Sequence, residues 1–135
     1  MIRYLLDTGI AGDFLDRRHG VHDRARAEVA RGNRVGIALP VLAELAYGIE
    51  WSASRDRNMQ RLRLALATWT VWPFDHKAAF EYGRITAELR RIGRPMQVID
   101  VMIAATAFTL GKCTVVSRDS DLFAIPRLNV ENWAN

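Results

Sequence analysis

Five acidic residues in this chain stand at or near the ends of apolar segments or inside them, where an unpaired carboxylate is unfavourable. Asp7 follows "YLL", Asp119 and Asp121 follow "TVVS", Asp100 heads "VMIAATAF", and Glu44 lies within "VLAELAYG". Carboxylates that pack together repel one another unless they are protonated or neutralised, and a divalent cation neutralises several of them at once. Oxygen ligands without any cysteine–histidine cluster favour Mg²⁺, with Mn²⁺ as a substitute, over Zn²⁺. The set therefore predicts metal-assisted chemistry on phosphate groups.

Each of these acids also has a purely structural interpretation. Asp7 could begin a helix, Asp119 could cap the turn "DSDLF", and Asp121 could be solvated there. Asp100 could be an N-cap or a first-turn acid that complements the helix dipole, and Glu44 could face solvent on an amphipathic helix. A shared site is predicted from the set and not from any single member.

Short apolar runs alternate with segments of helical periodicity along the chain. Strands are predicted at residues 2–6, 34–38, 70–72, 113–116 and 128–130. Helices are predicted at residues 11–18 and 22–31, from Pro40 through "VLAELAYGIEW", around the stripe Met59, Leu62, Leu66 and Trp69, after a capping Asp75, and at 98–110. The helix after Asp75 is expected to turn Ala79, Tyr82, Thr86 and Leu89 inward.

This alternation predicts one α/β domain over residues 1–135, with a mainly parallel sheet of four to five strands between layers of helices. The carboxyl ends of parallel strands share one edge of the sheet, and sites form at that edge. Asp7, Glu44, Asp100, Asp119 and Asp121 are therefore expected to meet there. A metal site requires their carboxyl groups to converge within a few ångströms of one point.

Composition restricts the class of protein further. Half of the 135 residues are hydrophobic and the net charge is +4, with arginine at 17 of the 19 basic positions. Guanidinium groups suit a phosphate-bearing or acidic partner. The single cysteine, Cys113, fits a reducing compartment, and we expect neither an export leader nor a membrane span. A cytoplasmic location is expected.

Four segments of the chain resemble the PIN-domain ribonucleases, and within them the VapC toxins of toxin–antitoxin pairs. The segments are "YLLDT", "LPVLAELAYGI", "GRPMQVIDVMIAATA" and "TVVSRDSDLFAIPRLNVENW", and they occur in the order and at the spacing of that family. The resemblance implies a PIN-like three-layer α/β/α fold and an Mg²⁺-dependent endoribonuclease. It also implies inhibition by a VapB-type antitoxin, an antitoxin groove along the first two helices and the helical hairpin that follows, and a homodimer.

The resemblance assigns roles to individual residues. It implies that Asp7, Asp100, Asp119 and Asp121 bind the metal and that Glu44 either helps to hold it or orients the attacking water. Asp100 would serve as helix cap and ligand at once. Ser117 falls on the hydroxyl position of the final motif.

The chain departs from the family pattern at four positions, none of which is an acid. Gly9 replaces the usual Asn, Met96 and Gln97 replace Ile and Gly, and Leu122 takes the place of the usual aromatic residue. These changes are expected to affect the positioning of water or substrate and the rate of the reaction more than the class of reaction.

An acidic site repels RNA unless cations surround it, so the arginines of "RDRNMQRLR" and of residues 17–34 are candidates for an RNA-binding rim. Unpaired RNA is the expected target. One alternative is a catalytically weak PIN module that binds RNA or antitoxin and keeps the acids for structure. An aspartyl-phosphate phosphatase is disfavoured because Gly9 stands where that class has a second aspartate. A flap-type DNA nuclease is a further alternative, although the chain is short for the usual DNA-clamping additions.

Overall fold

The computed structural model describes all residues, 1–135. The strands are β1 (Arg3–Leu6), β2 (Arg34–Ala38), β3 (Thr70–Trp72), β4 (Cys113–Val116) and β5 (Val130–Glu131). The helices are α1 (Thr8–Asp16), α2 (Val21–Ala30), α3 (Leu39–Trp51), α4 (Arg55–Leu66), α5 (His76–Arg91), α6 (Val98–Leu110) and α7 (Ser120–Phe123). The predicted bounds of β2, β3, β4 and α6 are confirmed, whereas β5 begins two residues later and ends one residue later than predicted.

The five strands form one sheet in the order β3-β2-β1-β4-β5, and every pair is parallel. Helices α2 and α3 pack on β2, and α6 packs on β1 and β4 and on its neighbour α5. This three-layer α/β arrangement confirms the predicted fold class. Because all strands run the same way, the chain leaves β1 and β4 at the same edge of the sheet, where Asp7 and Ser117 follow them.

The core lies between the sheet and its helices. Leu5, Ile37 and Val115 from the central strands are fully buried, as is Ile103 of α6. Helix α6 buries six residues on several of its faces, as its apolar sequence predicts. Its first turn therefore has a rigid base, which matters because Asp100 lies there.

The buried face of α5 differs from the prediction. Asp75 caps this helix as expected, through a hydrogen bond of 3.0 Å from the Ala78 amide. Ala78, Ile85 and Leu89 are the buried residues, and the predicted Ala79 is exposed. Alanine contributes little to a periodic pattern, so the sequence could not distinguish the two alanines, and packing against α6 decides between them.

A buried carboxylate joins α2 to the start of the sheet. The side chain of Glu28 is 4% exposed and accepts hydrogen bonds from Arg24, Arg31 and Asn33. Asn33 in turn accepts the backbone N–H of Ile2 at 2.9 Å. Burial by itself would raise the pKa of Glu28, but these hydrogen bonds outweigh it and hold the pKa below the ordinary value of 4.5.

Replacing Glu28 by Gln is expected to lower the free energy of unfolding by about 2 kcal/mol at neutral pH, because two arginines lose their charged acceptor. A depressed pKa stabilises the fold above the ordinary value, and this contribution is lost as the pH falls through the folded pKa. Urea unfolding of both proteins at pH about 7 and about 4 should show the difference shrinking at the lower pH. An equal difference in the free energy of unfolding at both pH values would contradict a stabilising role for the ionised Glu28 carboxylate.

No helix of the structure combines the length and the apolar character needed to cross a membrane.

Candidate active site

Asp7 links the end of β1 to the start of α1. Its Oδ1 accepts the Ile10 amide at 2.8 Å and so caps the helix, and its Oδ2 accepts the Ser117 hydroxyl at 2.5 Å. The residue is 8% exposed. Burial raises the pKa of the Asp7 carboxyl, and the hydrogen bonds from Ser117 and Ile10 oppose that rise only in part. The structural and the functional interpretations of Asp7 are thus compatible.

The turn after β4 brings the final acids to the same edge. Ser117 is fully buried, and its Oγ accepts the Asp119 amide at 2.8 Å while donating to Asp7. Asp119 caps the short helix α7 by accepting the Asp121 amide at 2.9 Å. Asp121 is half-exposed and accepts from Arg94 at 3.3 Å. Ser117 therefore holds the two acidic segments together.

Asp100 is not the cap of α6, contrary to the expectation that it would be cap and ligand at once. It is the third residue of the helix, and the cap position is held by Gln97, whose side chain makes no capping bond. Burial, followed by the charges of Asp119, Asp7, Asp121 and Glu44, raises the pKa of Asp100 to about 6. The dipole of α6 favours a lower pKa for a carboxyl in the first turn, but burial and the neighbouring acids together outweigh it.

Glu44 approaches the site from α3. Its Oε1 accepts the Thr8 hydroxyl at 2.6 Å, so it is tied to the first residue of α1, directly after Asp7. Thr8 and Glu44 line a groove between α1, α3 and α4, together with Gly12, Gly48 and Arg61. Glu44 is exposed, and its charge is the last of the four that act on Asp100. It therefore lies at the rim of the acidic site.

The residues fit a divalent cation by their chemistry and charge, without forming a closed ligand set. All candidate ligands are carboxylates, and four of them act together on the pKa of Asp100. No group of three or more Asp, Glu, His or Cys side chains is arranged so that it could hold a metal ion. The five acids thus meet at one edge as expected, while the tighter convergence on one point is not present.

Ser117→Ala is expected to lower the RNA cleavage that the family resemblance implies by roughly ten- to a hundredfold, because a group that orients a ligand commonly has an effect of this size. The variant also leaves Asp7 Oδ2 and the Asp119 amide without their partner, at a cost of about 1–2 kcal/mol in the free energy of unfolding. Thermal unfolding and RNA cleavage measured on the same preparations would check both effects. Unchanged cleavage in a folded variant would contradict the role of Ser117.

Sequence reasoning missed four residues of this region: Thr8, Asp13, Arg94 and Arg118. Thr8 is quoted in "YLLDT" and Arg94 in "GRPM", but neither has a signal that separates it from a structural residue. Arg118 is the one residue of the four that the sequence could have indicated, because it is a single cation inside an acidic motif, between Ser117 and Asp119. Asp13 has none, since its burial depends on packing.

The departures from the family pattern have local explanations. Leu122 is fully buried and fills the position expected for an aromatic ring, whereas Phe123 is exposed. A Cβ at Gly9 would lie 3.8 Å from Asp7 Oδ1, an ordinary contact, so packing does not require glycine there. Any side chain at position 9 would extend beside the acids, and Gly9 leaves that space open.

Comparisons with known proteins agree with this geometry. A family model described as the PIN domain matches residues 4–128. Ribonuclease VapC2 of Rickettsia felis is 29% identical over 96% of this chain and 97% of its own length. The tRNA(fMet)-specific endonuclease VapC of Salmonella typhimurium is 32% identical over 98% of this chain and 99% of its own.

The fold comparison gives the same result. The solved structure of VapBC2 from Rickettsia felis, bound to a DNA fragment from its promoter, superposes with a TM-score of 0.90 at 28% identity, covering 98% of this chain and 99% of that one. The parallel sheet, the acids at its carboxyl edge and these matches lead to one conclusion. The chain belongs to the PIN domain family, and the relatives that it matches along almost its whole length are VapC ribonucleases.

Proposed function

We propose that this protein is an Mg²⁺-dependent endoribonuclease that acts as the toxin of a toxin–antitoxin pair and works in the cytoplasm. The single observation that carries the proposal is the meeting of Asp7, Asp100, Asp119, Asp121 and Glu44 at one sheet edge, where burial and the charges of the other four acids raise the pKa of Asp100. Such a concentration of negative charge is unfavourable unless a cation neutralises it. The nuclease names of its relatives support the same class of reaction.

The proposed cofactor is Mg²⁺, which Mn²⁺ can replace. Asp7, Asp100, Asp119 and Asp121 would hold it, and binding would require their carboxyl groups to draw together, since they do not form a ligand set in this structure. When bound there, it would supply Lewis acidity and would neutralise charge on the scissile phosphate. The hard carboxylate oxygens suit these ions better than Zn²⁺.

The chain's own residues contribute orientation and proton handling. Ser117 donates to the Asp7 carboxylate and accepts the backbone N–H of Asp119, so it ties Asp7 to the turn that carries Asp119. Glu44, fixed by Thr8 at the rim, can orient a water molecule by accepting its hydrogen bond. Phosphodiester hydrolysis by water is the reaction that this arrangement serves.

RNA would reach the acids along the groove between α1, α3 and α4. Arg61 and Glu44 both line that groove, and Arg61 also lies 3.8 Å from Asp16, so at least one arginine of "RDRNMQRLR" lies near the site. Arg55 instead pairs with Glu50 and Asp56, and Arg34 begins β2 at the opposite edge of the sheet. The expected rim is therefore smaller than the sequence predicts. Structured RNA with exposed loops, such as transfer RNA or ribosomal RNA, is the proposed substrate class.

The proposed protein partner is a VapB-type antitoxin. A groove between α1, α2 and α4 is lined by Phe14, Leu15, His22, Arg61 and Leu64. Leu64 is 67% exposed, so this wall offers apolar surface to a partner helix. Helices α1, α2 and α4 are among the walls expected for the antitoxin groove. Helix α3, the other half of the expected hairpin, does not line this groove. A homodimer belongs to the same proposal and stays a prediction.

The proposal is tested by incubating the purified chain, freed of any small protein that copurifies, with total transfer RNA and with ribosomal RNA. Discrete fragments that form with Mg²⁺ or Mn²⁺ and disappear with a chelator are the expected result. Binding of metal and RNA without fragments from either substrate would favour the alternative, a catalytically weak module that binds RNA or antitoxin. Denatured protein treated in the same way controls for contaminating nuclease.

A further inference from the structure

A buried carboxylate in α1 has a single charged partner and no hydrogen bond to its Oδ2. Asp13 is 5% exposed, and its Oδ2 accepts no hydrogen bond. A buried ionised carboxylate is strongly unfavourable unless a charged group or several donors face it. The one cation in contact with it is Arg118, whose Nη2 lies 3.2 Å from Oδ2.

Arg118 belongs to the acidic edge described above. It stands between Ser117 and Asp119 in the turn after β4, and its charge opposes the rise in the pKa of Asp7. Its side chain is 46% exposed. The guanidinium carries five N–H donors, and its one ion pair engages a single nitrogen, Nη2.

The Asp13–Arg118 ion pair is oriented so that its cation can contact an anion at the surface. The negative end, Asp13, is buried within α1, and the positive end, Arg118, extends to the surface beside the acids. Asp13 thus restricts the guanidinium while leaving its donors available. A restricted guanidinium loses less conformational entropy when it binds a phosphate in a two-point geometry.

We propose that Arg118 binds a backbone phosphate of the RNA at the acidic site and that Asp13 is the positioning residue that holds it there. This inference rests on the proposed function, since it assigns the group that offsets the repulsion between the acids and the substrate. Arg118 is the substrate-binding residue, and Asp13 acts only through it.

The first test measures RNA binding in a chelator, where no cleavage occurs, so it does not depend on the nuclease activity. The probe is a fluorescent single-stranded oligoribonucleotide of mixed sequence, titrated at several salt concentrations. Arg118→Gln is expected to weaken binding roughly tenfold at low salt and to reduce the slope of log affinity against log salt by about 0.7. Arg118→Lys should restore the slope, and Arg34→Gln, the same charge change at the opposite sheet edge, should bind more tightly than Arg118→Gln. An unchanged slope and affinity in Arg118→Gln would overturn the proposal.

The second test separates positioning from bulk charge. Asp13→Asn removes a negative charge, so electrostatics alone predicts tighter RNA binding. Positioning predicts weaker binding, because the guanidinium is no longer held. Tighter binding would overturn the role given to Asp13. Thermal unfolding of all variants completes the design, since a purely structural ion pair would lower the melting temperature of Arg118→Lys and Arg118→Gln without any change in the salt slope.

Cleavage kinetics then distinguish this proposal from the proposed function itself. If the chain cleaves RNA, Arg118→Gln should raise KM roughly tenfold and leave kcat within about threefold, since the contact forms in the ground state as well. A fall in kcat alone would contradict a phosphate-binding role. Absence of cleavage by the unmodified chain would overturn the nuclease and leave the binding result to decide on Arg118.

Discussion

Asp100→Asn is expected to abolish RNA cleavage, with a loss of about a hundredfold or more, while the protein stays folded. Asp100 makes no capping bond, so the helix does not lose a structural contact. Its carboxyl is the one on which Asp119, Asp7, Asp121 and Glu44 all act, which places it among the acids that would hold the cation. Asparagine keeps the shape and removes the charge.

The same substitution that abolishes cleavage should not destabilise the protein when no metal is present. At neutral pH the Asp100 carboxylate is repelled by its neighbours, so its neutralisation removes an unfavourable term. We expect the melting temperature of Asp100→Asn in a chelator to equal or exceed that of the parent by a few degrees. Added Mg²⁺ should stabilise the parent more than the variant.

Asp23→Asn is the matched control, because it makes the same chemical change on a side chain that is 95% exposed. It should leave cleavage unchanged. Cleavage by Asp100→Asn at the parent's rate would contradict the assignment of the site. A large loss of stability in the chelator would instead mean that Asp100 is a structural residue of α6.

The largest effect on stability is expected from Gly36→Ala. Gly36 lies in β2 opposite Thr70 of β3, and a Cβ there would overlap the carbonyl oxygen of Thr70 and lie 2.7 Å from its carbonyl carbon. Both obstacles are backbone atoms, so no side-chain rotation can relieve the overlap. We expect a loss of more than about 3 kcal/mol in the free energy of unfolding.

Urea unfolding checks this prediction, with Gly83→Ala as the control. Gly83 lies on the exposed face of α5, and its Cβ would meet nothing within 4 Å. That variant should be as stable as the parent or gain up to about 1 kcal/mol from helix propensity. If Gly36→Ala unfolded at the parent's urea concentration, the close approach of β2 and β3 would be wrong.

Much of the fold could be predicted from local patterns. Alternating apolar runs and helical stripes are properties of neighbouring residues, and they placed β2, β3, β4 and α6 with their observed bounds. The end of the chain was harder, because β5 has only two residues, Val130 and Glu131, and pairs only with β4. Such a short strand depends on its partner more than on its own composition.

The candidate site was predicted as a set of residues, but not as a set of interactions. Parallel topology brings Asp7 and Asp119 to one edge whichever side chains surround them, so their meeting could be inferred from position alone. The capping status of Asp100 could not, since Gln97 takes the cap position through backbone geometry. The buried Asp13 and its contact with Arg118 join residues more than 100 positions apart, and no local pattern encodes that pair.

The sequence by itself determined the class of the protein: an α/β chain with five acids at the ends of its elements and the four motifs of the PIN family. These are features of residue type and spacing, and they do not depend on how the side chains pack. Only the tertiary structure decided how the acids are held: Ser117 between Asp7 and Asp119, and Thr8 on Glu44. The reason is physical, because hydrogen bonds, desolvation and pKa values depend on distances between residues that are remote in the chain.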